Sequence, residues 1–233
     1  ERPEIMGQFA DAVDGMREAC LALDFPVVSG NVSFYNETNG KGILPTPAIG
    51  AVGLIDDLSK TASVAGAAAG EGLVLIGTTA GHLGCSAYFR EVEGRTDGAP
   101  PPVDLAQERR HGDFVRTEIA AGRVRTCHDL ADGGLLVAAA ELALASDRGV
   151  TVTVPDAAPP AHAWLFGEDQ GRYLIATDDA EGLLERAQKA GVPAAQIGTV
   201  GGDSLTVEGY GTISLAELRD SHEGWLPAYM GDA

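Results

Sequence analysis

Short apolar runs bounded by glycine constrain the fold more than any other feature of the sequence. The chain has 31 glycines among 233 residues, and runs such as Gly72–Gly77 and Arg172–Thr177 have the length of a β-strand. Longer segments lie between them, and Ile5–Leu23 repeats its apolar residues at helical spacing. Strand-length runs that alternate with helical patterns indicate an α/β or α+β fold.

The same patterns predict the individual elements. The predicted strands are Pro26–Ser29, Ala48–Ile55, Gly72–Gly77, Val124–Cys127, Val150–Val154, Arg172–Thr177, Ala195–Val200 and Ser204–Val207. The predicted helices are Ile5–Leu23, Ala87–Val92, Leu105–Ala121, Gly134–Ala145, Ala180–Ala190 and Leu215–Ser221. Loops are predicted at Asn36–Pro47, Gly94–Pro102 and Pro155–Pro160.

Charge and composition exclude several functional classes. The net charge of −18 repels a phosphate backbone, so we expect no nucleic-acid partner. No apolar run reaches the 18 residues of a membrane helix, and no basic, apolar segment opens the chain, so we expect neither a membrane nor a secretory location. The three cysteines are widely spaced, which favours a reducing cytoplasm over a disulfide framework. Because the chain begins directly in a helical pattern, we expect it to be a piece of a longer protein.

The segment Val27–Asn36 is the strongest candidate for binding chemistry. A predicted strand ends at Ser29, and Gly30, Asn31 and Ser33 follow at once. Glycine lets a phosphate approach backbone N–H groups, and an asparagine oxygen suits Mg²⁺. An ordinary turn, in which the polar side chains bond their own backbone, explains the same residues.

Three further segments carry polar residues beside predicted strands. Gly77–Ser86 is glycine-rich and precedes a helix, where backbone amides favour an anion or where Ser86 simply caps the helix. Thr126–Gly134 contains His128, Asp129 and Asp132, which fit either a Mg²⁺ or acid–base site or a helix entry capped by Asp132. Gly167–Arg172 adds Glu168 and Asp169, which suit a cation or a solvated turn.

Taken in order, these segments resemble one family. The sequences GNVSFYNET, AIGAVGLIDD, AGHLGCSAY, HDLADGG and GEDQGRY are similar to those of formylglycinamide ribonucleotide amidotransferase, also called phosphoribosylformylglycinamidine synthase. The likeness is to the synthetase subunit of its small, multi-subunit form and runs from about Glu4 to Val207. One departure is Ala87, where the family pattern after AGHLG has an acidic residue, so the likeness implies only a structural role for that loop.

The resemblance implies an aminoimidazole-ribonucleotide-synthetase-like fold. Residues 1–66 would be the C-terminal part of the second ATP-binding domain and residues 67–233 the C-terminal α/β domain. It also implies a reaction in purine biosynthesis: ATP phosphorylates the amide oxygen of formylglycinamide ribonucleotide, and ammonia displaces the phosphate. The implied partners are the missing N-terminal half of the synthetase, a separate glutaminase subunit and a small accessory subunit.

Carried over to this sequence, the family motif implies that Gly30 contacts ATP, Asn31 binds Mg²⁺ and Ser33 contacts the substrate. No catalytic residue is implied, because the family's catalytic histidine belongs to the absent half. His128, Asp129, Glu168 and Asp169 mirror ligand-binding positions of that half and would be relics or parts of a second nucleotide site. Two alternatives stay open: a non-catalytic module that binds nucleotide or a partner, and another superfamily member that transfers phosphoryl from ATP, such as aminoimidazole ribonucleotide synthetase, selenophosphate synthetase or thiamine-phosphate kinase.

Overall fold

The first element of the fold is one long amphipathic helix. The computed structural model describes residues 2–33 and 37–231 and divides the chain into two units, Glu1–Asp56 and Asp57–Ala233. In the first unit, helix α1 spans Pro3–Leu23 and begins with proline, whose fixed φ suits the first helical turn. The helix ends at Leu23, and the capping residue Asp24 adopts the left-handed conformation, with φ of 55°.

A short hairpin follows in the first unit. Strands β1 (Glu37–Thr38) and β2 (Lys41–Gly42) pair antiparallel within the stretch that the sequence predicts as loop. Asn39 and Gly40 join them with φ of 52° and 75°, which are the values that a tight two-residue hairpin turn requires.

Two strand predictions in the first unit are wrong. Pro26–Ser29 and Ala48–Ile55 are irregular, and Val28 and Val52 are 93% and 97% exposed. A strand is stable only when a neighbouring strand pairs with its backbone. Within the described residues of this unit the only ladder is β1–β2, so apolar sequence alone does not make these segments strands.

The second unit is built on a mixed seven-stranded sheet. Its strands are β3 (Gly72–Ile76), β4 (Thr126–Asp129), β5 (Val150–Val152), β6 (Tyr173–Thr177), β7 (Ala194–Val200), β8 (Ser204–Val207) and β9 (Gly211–Ser214). They lie in the order β4-β6-β3-β7-β5-β8-β9, and every pair is antiparallel except β5–β8. The sequence therefore predicts six of these strands within a few residues, and it misses β9.

Helices cover both faces of this sheet. The helices of this unit are α2 (Ala87–Glu91), α3 (Leu105–Ala120), α4 (Gly134–Ser146), α5 (Ala161–Phe166), α6 (Ala180–Lys189), α7 (Leu215–Glu223) and α8 (Trp225–Met230), with a 3-10 turn at Leu58–Lys60. The sequence predicts all but α5 and α8. Both are only six residues long, which is too short for a helical repeat to show.

The interior strand β3 divides the core in two. Leu73 and Leu75 face a core with α4, α5 and α7, while Val74 and Ile76 face a second core with α3 and α6. All five residues of β3 are buried, which explains why its sequence is continuously apolar rather than alternating.

The division between the two structural units and the domain boundary predicted from the sequence fall at different residues. The structural division falls after Asp56, whereas the sequence places the end of a domain at residue 66, so that boundary stays a prediction. Among the described residues, no helix has both the length and the hydrophobicity to cross a membrane.

A buried ion-pair network joins α3 to α6. Glu118 is 2% exposed, and its carboxylate accepts hydrogen bonds from Arg123 at 2.8 Å through each oxygen and from Arg186 at 2.9 Å. The bonds from Arg123, with those from Arg186, outweigh burial and hold the pKa of Glu118 below its ordinary value.

We expect Glu118→Gln to lower the free energy of unfolding at pH 7 by about 3 kcal/mol, because it leaves two arginines without their buried counter-charge. The lowered pKa of Glu118 stabilises the wild type above the unfolded-state pKa, and this contribution is lost as pH falls through the folded pKa. Urea titrations between pH 7 and pH 3 should therefore show the two proteins converging in acid. Glu185→Gln, which breaks an exposed pair with Lys189, should change stability by less than about 0.5 kcal/mol.

Candidate functional site

The three residues of the candidate nucleotide site lie together in the first unit. Gly30, Asn31 and Ser33 belong to the irregular segment that follows α1, and all three are exposed. A Cβ placed on Gly30 would meet no atom within 4 Å, so the backbone there is open to a ligand. Three further residues of the motif, Phe34, Tyr35 and Asn36, lie outside the described residues.

In the second unit, two adjacent carboxylates bind the backbone of two other glycine-rich segments. Glu168 accepts hydrogen bonds through one oxygen from the N–H groups of Ala87 and Gly133, both at 2.8 Å. Asp169 is buried and accepts from the N–H of Gly81 at 2.9 Å and, more weakly, from that of His82 at 3.4 Å. One oxygen of each acidic side chain in GEDQGR therefore accepts hydrogen bonds from backbone donors.

Arg172 donates hydrogen bonds to the same loop that carries Glu168 and Asp169. It is 1% exposed, and its guanidinium donates to the carbonyls of Asp169 at 2.9 Å and Gly167 at 2.6 Å and to the hydroxyl of Thr79 at 3.0 Å. Burial lowers the pKa of Arg172, while the negative charges of Asp169 and Glu168 act in the opposite direction. One buried cation thus fixes the loop that carries both carboxylates.

Helix α3 holds the other end of the same loop. His111 is fully buried, and its Nδ1–H donates to the carbonyl of Gly171 at 2.8 Å. The sequence indicates no role for this histidine, because its partner is 60 positions away.

The start of helix α4 depends on two glycines rather than on a capping aspartate. Gly133 and Gly134 have φ of 80° and 68°, and a Cβ on Gly134 would lie 2.5 Å from the carbonyl oxygen of Gly167. The helix begins after Gly133 without a side-chain cap, so the interpretation that Asp132 caps it is wrong. By contrast, Ser86 caps α2 by accepting from the N–H of Phe89 at 3.2 Å.

His128 and Asp129 lie at the end of β4 and have partners of their own. The Nε2–H of His128 donates to Glu141 on α4 at 2.7 Å, and Nδ1 lies 3.4 Å from the Asp129 carboxylate. Sequence reasoning missed Glu141, because nothing in an alanine- and leucine-rich helix marks it. In the part of the chain that the structure describes, no three His, Cys, Asp or Glu side chains are grouped to hold a metal ion.

Cys127 has no nucleophilic character. Burial, with the negative charge of Asp129, raises the pKa of its thiol to about 12, so the thiolate is negligible at neutral pH.

The fold and these glycine-rich segments define a protein class. Residues 68–209 match the model of the AIR synthase related protein, C-terminal domain, and residues 1–55 match that of the AIR synthase related protein, N-terminal domain. The chain belongs to the AIR synthase related family.

Within this family, proteins named as PurL subunits align with nearly the whole chain. It is 59% identical over 99% of its length to the phosphoribosylformylglycinamidine synthase subunit PurL of Parvibaculum lavamentivorans, and 57% identical over 99% to that of Caulobacter vibrioides. It covers 32% and 31% of those proteins, so it spans about a third of their length.

Solved structures of the same group share the fold. Thermotoga maritima PurL complexed with FGAR superposes with a TM-score of 0.58 at 20% identity, over 69% of this chain and 30% of that one. The complex of that protein with ATP gives a TM-score of 0.54 at 20% identity, over 67% and 27%.

We expect Glu168→Ala to expose the backbone N–H groups of Ala87 and Gly133 to faster hydrogen exchange, because both lose their acceptor. The free energy of unfolding should fall by about 2 kcal/mol, the cost of leaving buried donors unpaired. Amide exchange and urea denaturation of the variant measure the two effects. Glu91→Ala, which removes an exposed carboxylate from α2 paired only with the adjacent Arg90, should change neither; unaltered exchange at Ala87 and Gly133 in Glu168→Ala would contradict this account.

Proposed function

We propose that this chain is part of an ATP-dependent ligase that converts formylglycinamide ribonucleotide and ammonia to formylglycinamidine ribonucleotide in purine biosynthesis. The observation that carries the proposal is the identity of 53–59% over nearly the whole chain to proteins named phosphoribosylformylglycinamidine synthase subunit PurL. Because the chain spans about a third of those proteins, their activity, substrates and partners are proposals for it.

The proposed reaction has two steps. The amide oxygen of the substrate attacks the γ-phosphorus of ATP, ADP leaves, and the oxygen carries the phosphoryl group. The nitrogen of ammonia then attacks the amide carbon that carries this oxygen. The nitrogen loses a proton, and the C–O bond breaks to release phosphate and leave the amidine. Glutamine would supply the ammonia through a separate glutaminase subunit, assisted by a small accessory subunit, in the cytoplasm.

The first unit of the chain would contribute to nucleotide and substrate binding. The backbone N–H of Gly30 would approach a phosphate of ATP, which the open space beside this glycine permits. The hydroxyl of Ser33 would hold the substrate, and the exposed Asn31 offers a neutral oxygen of the kind that Mg²⁺ accepts. When bound, the ion would neutralise charge on the phosphates.

The second unit supplies no reacting group in this proposal. Its carboxylates Glu168 and Asp169 bind backbone amides, and the partly buried thiol of Cys127 is protonated at neutral pH. We therefore propose no catalytic residue in this chain and expect the reacting groups to come from the remaining length that the relatives carry.

The test is a reconstitution of the full-length polypeptide that contains this sequence. With formylglycinamide ribonucleotide, Mg·ATP and ammonium, we expect one amidine and one ADP per turnover, measured by mass spectrometry and a coupled assay. Nucleotide binding without turnover would instead support a non-catalytic module. Turnover only with a different phosphoryl acceptor would support another member of the superfamily.

We expect Asn31→Ala in the full-length enzyme to raise the KM for Mg·ATP about tenfold or more, because one polar contact to a charged group is lost, roughly 1–3 kcal/mol. The fold should be intact, since Asn31 is exposed. Initial rates against Mg·ATP and Mg²⁺ concentration measure the effect, with Val32→Ala as the neighbouring exposed control. An unchanged Mg²⁺ dependence would remove Asn31 from the site.

The 233-residue chain by itself should form no measurable amidine, because the proposal assigns most of the reacting groups to the rest of the protein. Single-turnover incubation of the purified chain with the same substrates tests this expectation. Measurable amidine formation by the chain alone would contradict it.

A further inference from the structure

The hairpin turn of the first unit contains the one asparagine–glycine pair of the sequence. Asparagine occurs three times in the chain, and only Asn39 is followed by glycine, at Gly40. Asn31 is followed by valine and Asn36 by glutamate. The proposed function assigns no role to the turn, and the chemistry of its asparagine differs from that of the other two.

The side chain of an asparagine can react with the backbone nitrogen of the next residue. That nitrogen, once deprotonated, forms a bond to the Cγ carbon of the amide. The amide C–N bond breaks, and ammonia leaves with the proton that the backbone nitrogen gave up, so a succinimide ring closes. A side chain on the next residue shields the nitrogen, whereas glycine leaves it accessible and lets the peptide plane rotate.

The hairpin leaves the attacking nitrogen without a hydrogen bond. The last pair of the β1–β2 ladder is Thr38 with Lys41, so Asn39 and Gly40 lie outside it. Among the described residues, the N–H of Gly40 donates no hydrogen bond. Deprotonation of this nitrogen therefore breaks no contact of the folded hairpin.

The backbone of the turn is one peptide rotation away from the geometry of the ring. With φ of 52° at Asn39 and 75° at Gly40, the turn has the type I′ form. Type II′ shares the positive φ of the first residue and differs by a flip of the peptide plane between the two. The flip brings ψ of that residue to about −120°, where the nitrogen of Gly40 eclipses the Cβ of Asn39, as ring closure requires.

Glycine also makes this flip possible without moving the strands. Between the two turn types φ of the second turn residue changes sign, and glycine accepts both signs at little cost. The ends of the turn stay in place, because both types are two-residue hairpin turns. Gly40 therefore supplies the nucleophile and also permits its approach.

Water opens the ring at either carbonyl, and the two products affect the hairpin differently. Aspartate keeps the original main chain and tolerates positive φ as asparagine does. The turn then persists with one more negative charge, on a chain whose net charge is already −18. Isoaspartate instead routes the main chain through the side-chain carbon and adds one atom to the turn. The pairing of Thr38 with Lys41 requires a two-residue turn, so isoaspartate breaks this pair.

We propose that Asn39 is a site of spontaneous deamidation, with the nitrogen of Gly40 as the nucleophile and water as the co-reactant. The reaction releases ammonia and replaces a neutral amide by a carboxylate in the hairpin. This modification goes beyond the proposed function, and its detection does not depend on enzymatic activity.

The test is peptide mapping of the full-length polypeptide that contains this sequence, after incubation of the folded protein at 37 °C and pH 7.4. Trypsin cleaves after Arg17 and Lys41, so all three asparagines fall in one peptide, residues 18–41. Fragment spectra assign the conversion of amide to acid to one asparagine, and electron-transfer fragmentation distinguishes isoaspartate from aspartate. Digestion in water labelled with heavy oxygen marks any conversion that occurs during sample handling.

We expect conversion at Asn39 to be about tenfold faster or more than at Asn31 and Asn36, which are internal controls because their next residues carry shielding side chains. The rate at Asn39 should rise between pH 6.5 and pH 8.5, because the attacking species is the deprotonated nitrogen. Isoaspartate and aspartate should both accumulate, since water opens the ring at either side.

Two variants separate ring chemistry from a general lability of the loop. Asn39→Gln keeps an amide but would have to close a larger and less favourable ring, so residue 39 should stay unmodified. Thr38→Ser leaves the asparagine–glycine pair intact and changes the neighbouring residue of the same hairpin. It is the matched control and should convert at the wild-type rate.

Two results would overturn the proposal. Conversion at Asn39 no faster than at Asn31 and Asn36 in the folded protein, together with rapid conversion in a synthetic peptide of residues 18–41, would show that the fold protects the hairpin. Aspartate without isoaspartate would show direct hydrolysis in place of ring closure. A full-length protein that forms no amidine would contradict the proposed function and would leave both of these measurements unaffected.

Discussion

The second unit depends on the burial of one strand from both sides. Strand β3 lies inside the seven-stranded sheet, between β6 and β7, and its side chains alternate between two separate cores, one with α4, α5 and α7 and one with α3 and α6. Each fully buried leucine, valine or isoleucine contributes roughly 1.5–3 kcal/mol, so β3 alone links two helical layers. The buried Glu118 network then ties α3 to α6 on one of these faces.

The glycine-rich loops at the strand ends are held by charge rather than by apolar packing. Glu168 and Asp169 bind backbone N–H groups of the 77–86 and 131–134 segments, and Arg172 and His111 hold the loop that carries these carboxylates. Backbone amides at the start of a helix attract anions, and here the anion is a side chain of the protein itself. These contacts hold the motifs of the second unit to one another, whereas the proposed function assigns nucleotide and substrate binding to Gly30, Asn31 and Ser33 of the first unit.

Sequence reasoning predicted most elements of the second unit, but it did not predict the backbone partners of its acidic residues. Gly72–Gly77 and Arg172–Thr177 are recognisable because their apolar side chains and flanking glycines are local signals. The role of Glu168 is not local, since its two donors are 81 and 35 positions away. The sequence looks the same whether a carboxylate binds a metal ion or backbone amides. Only the positions of the donors in the folded chain distinguish the two cases.

The sequence by itself determined the α/β class, the acidic character and the family, because periodicity, composition and motifs are properties of neighbouring residues. It did not determine which apolar segments become strands: Pro26–Ser29 and Ala48–Ile55 have strand-like sequence but no pairing partner among the described residues of their unit. The tertiary structure alone decided the sheet order and the partners of Glu168, Asp169 and Arg172. The physical reason is that backbone pairing, buried hydrogen bonds and solvent exposure depend on residues distant in the chain, which no local pattern records.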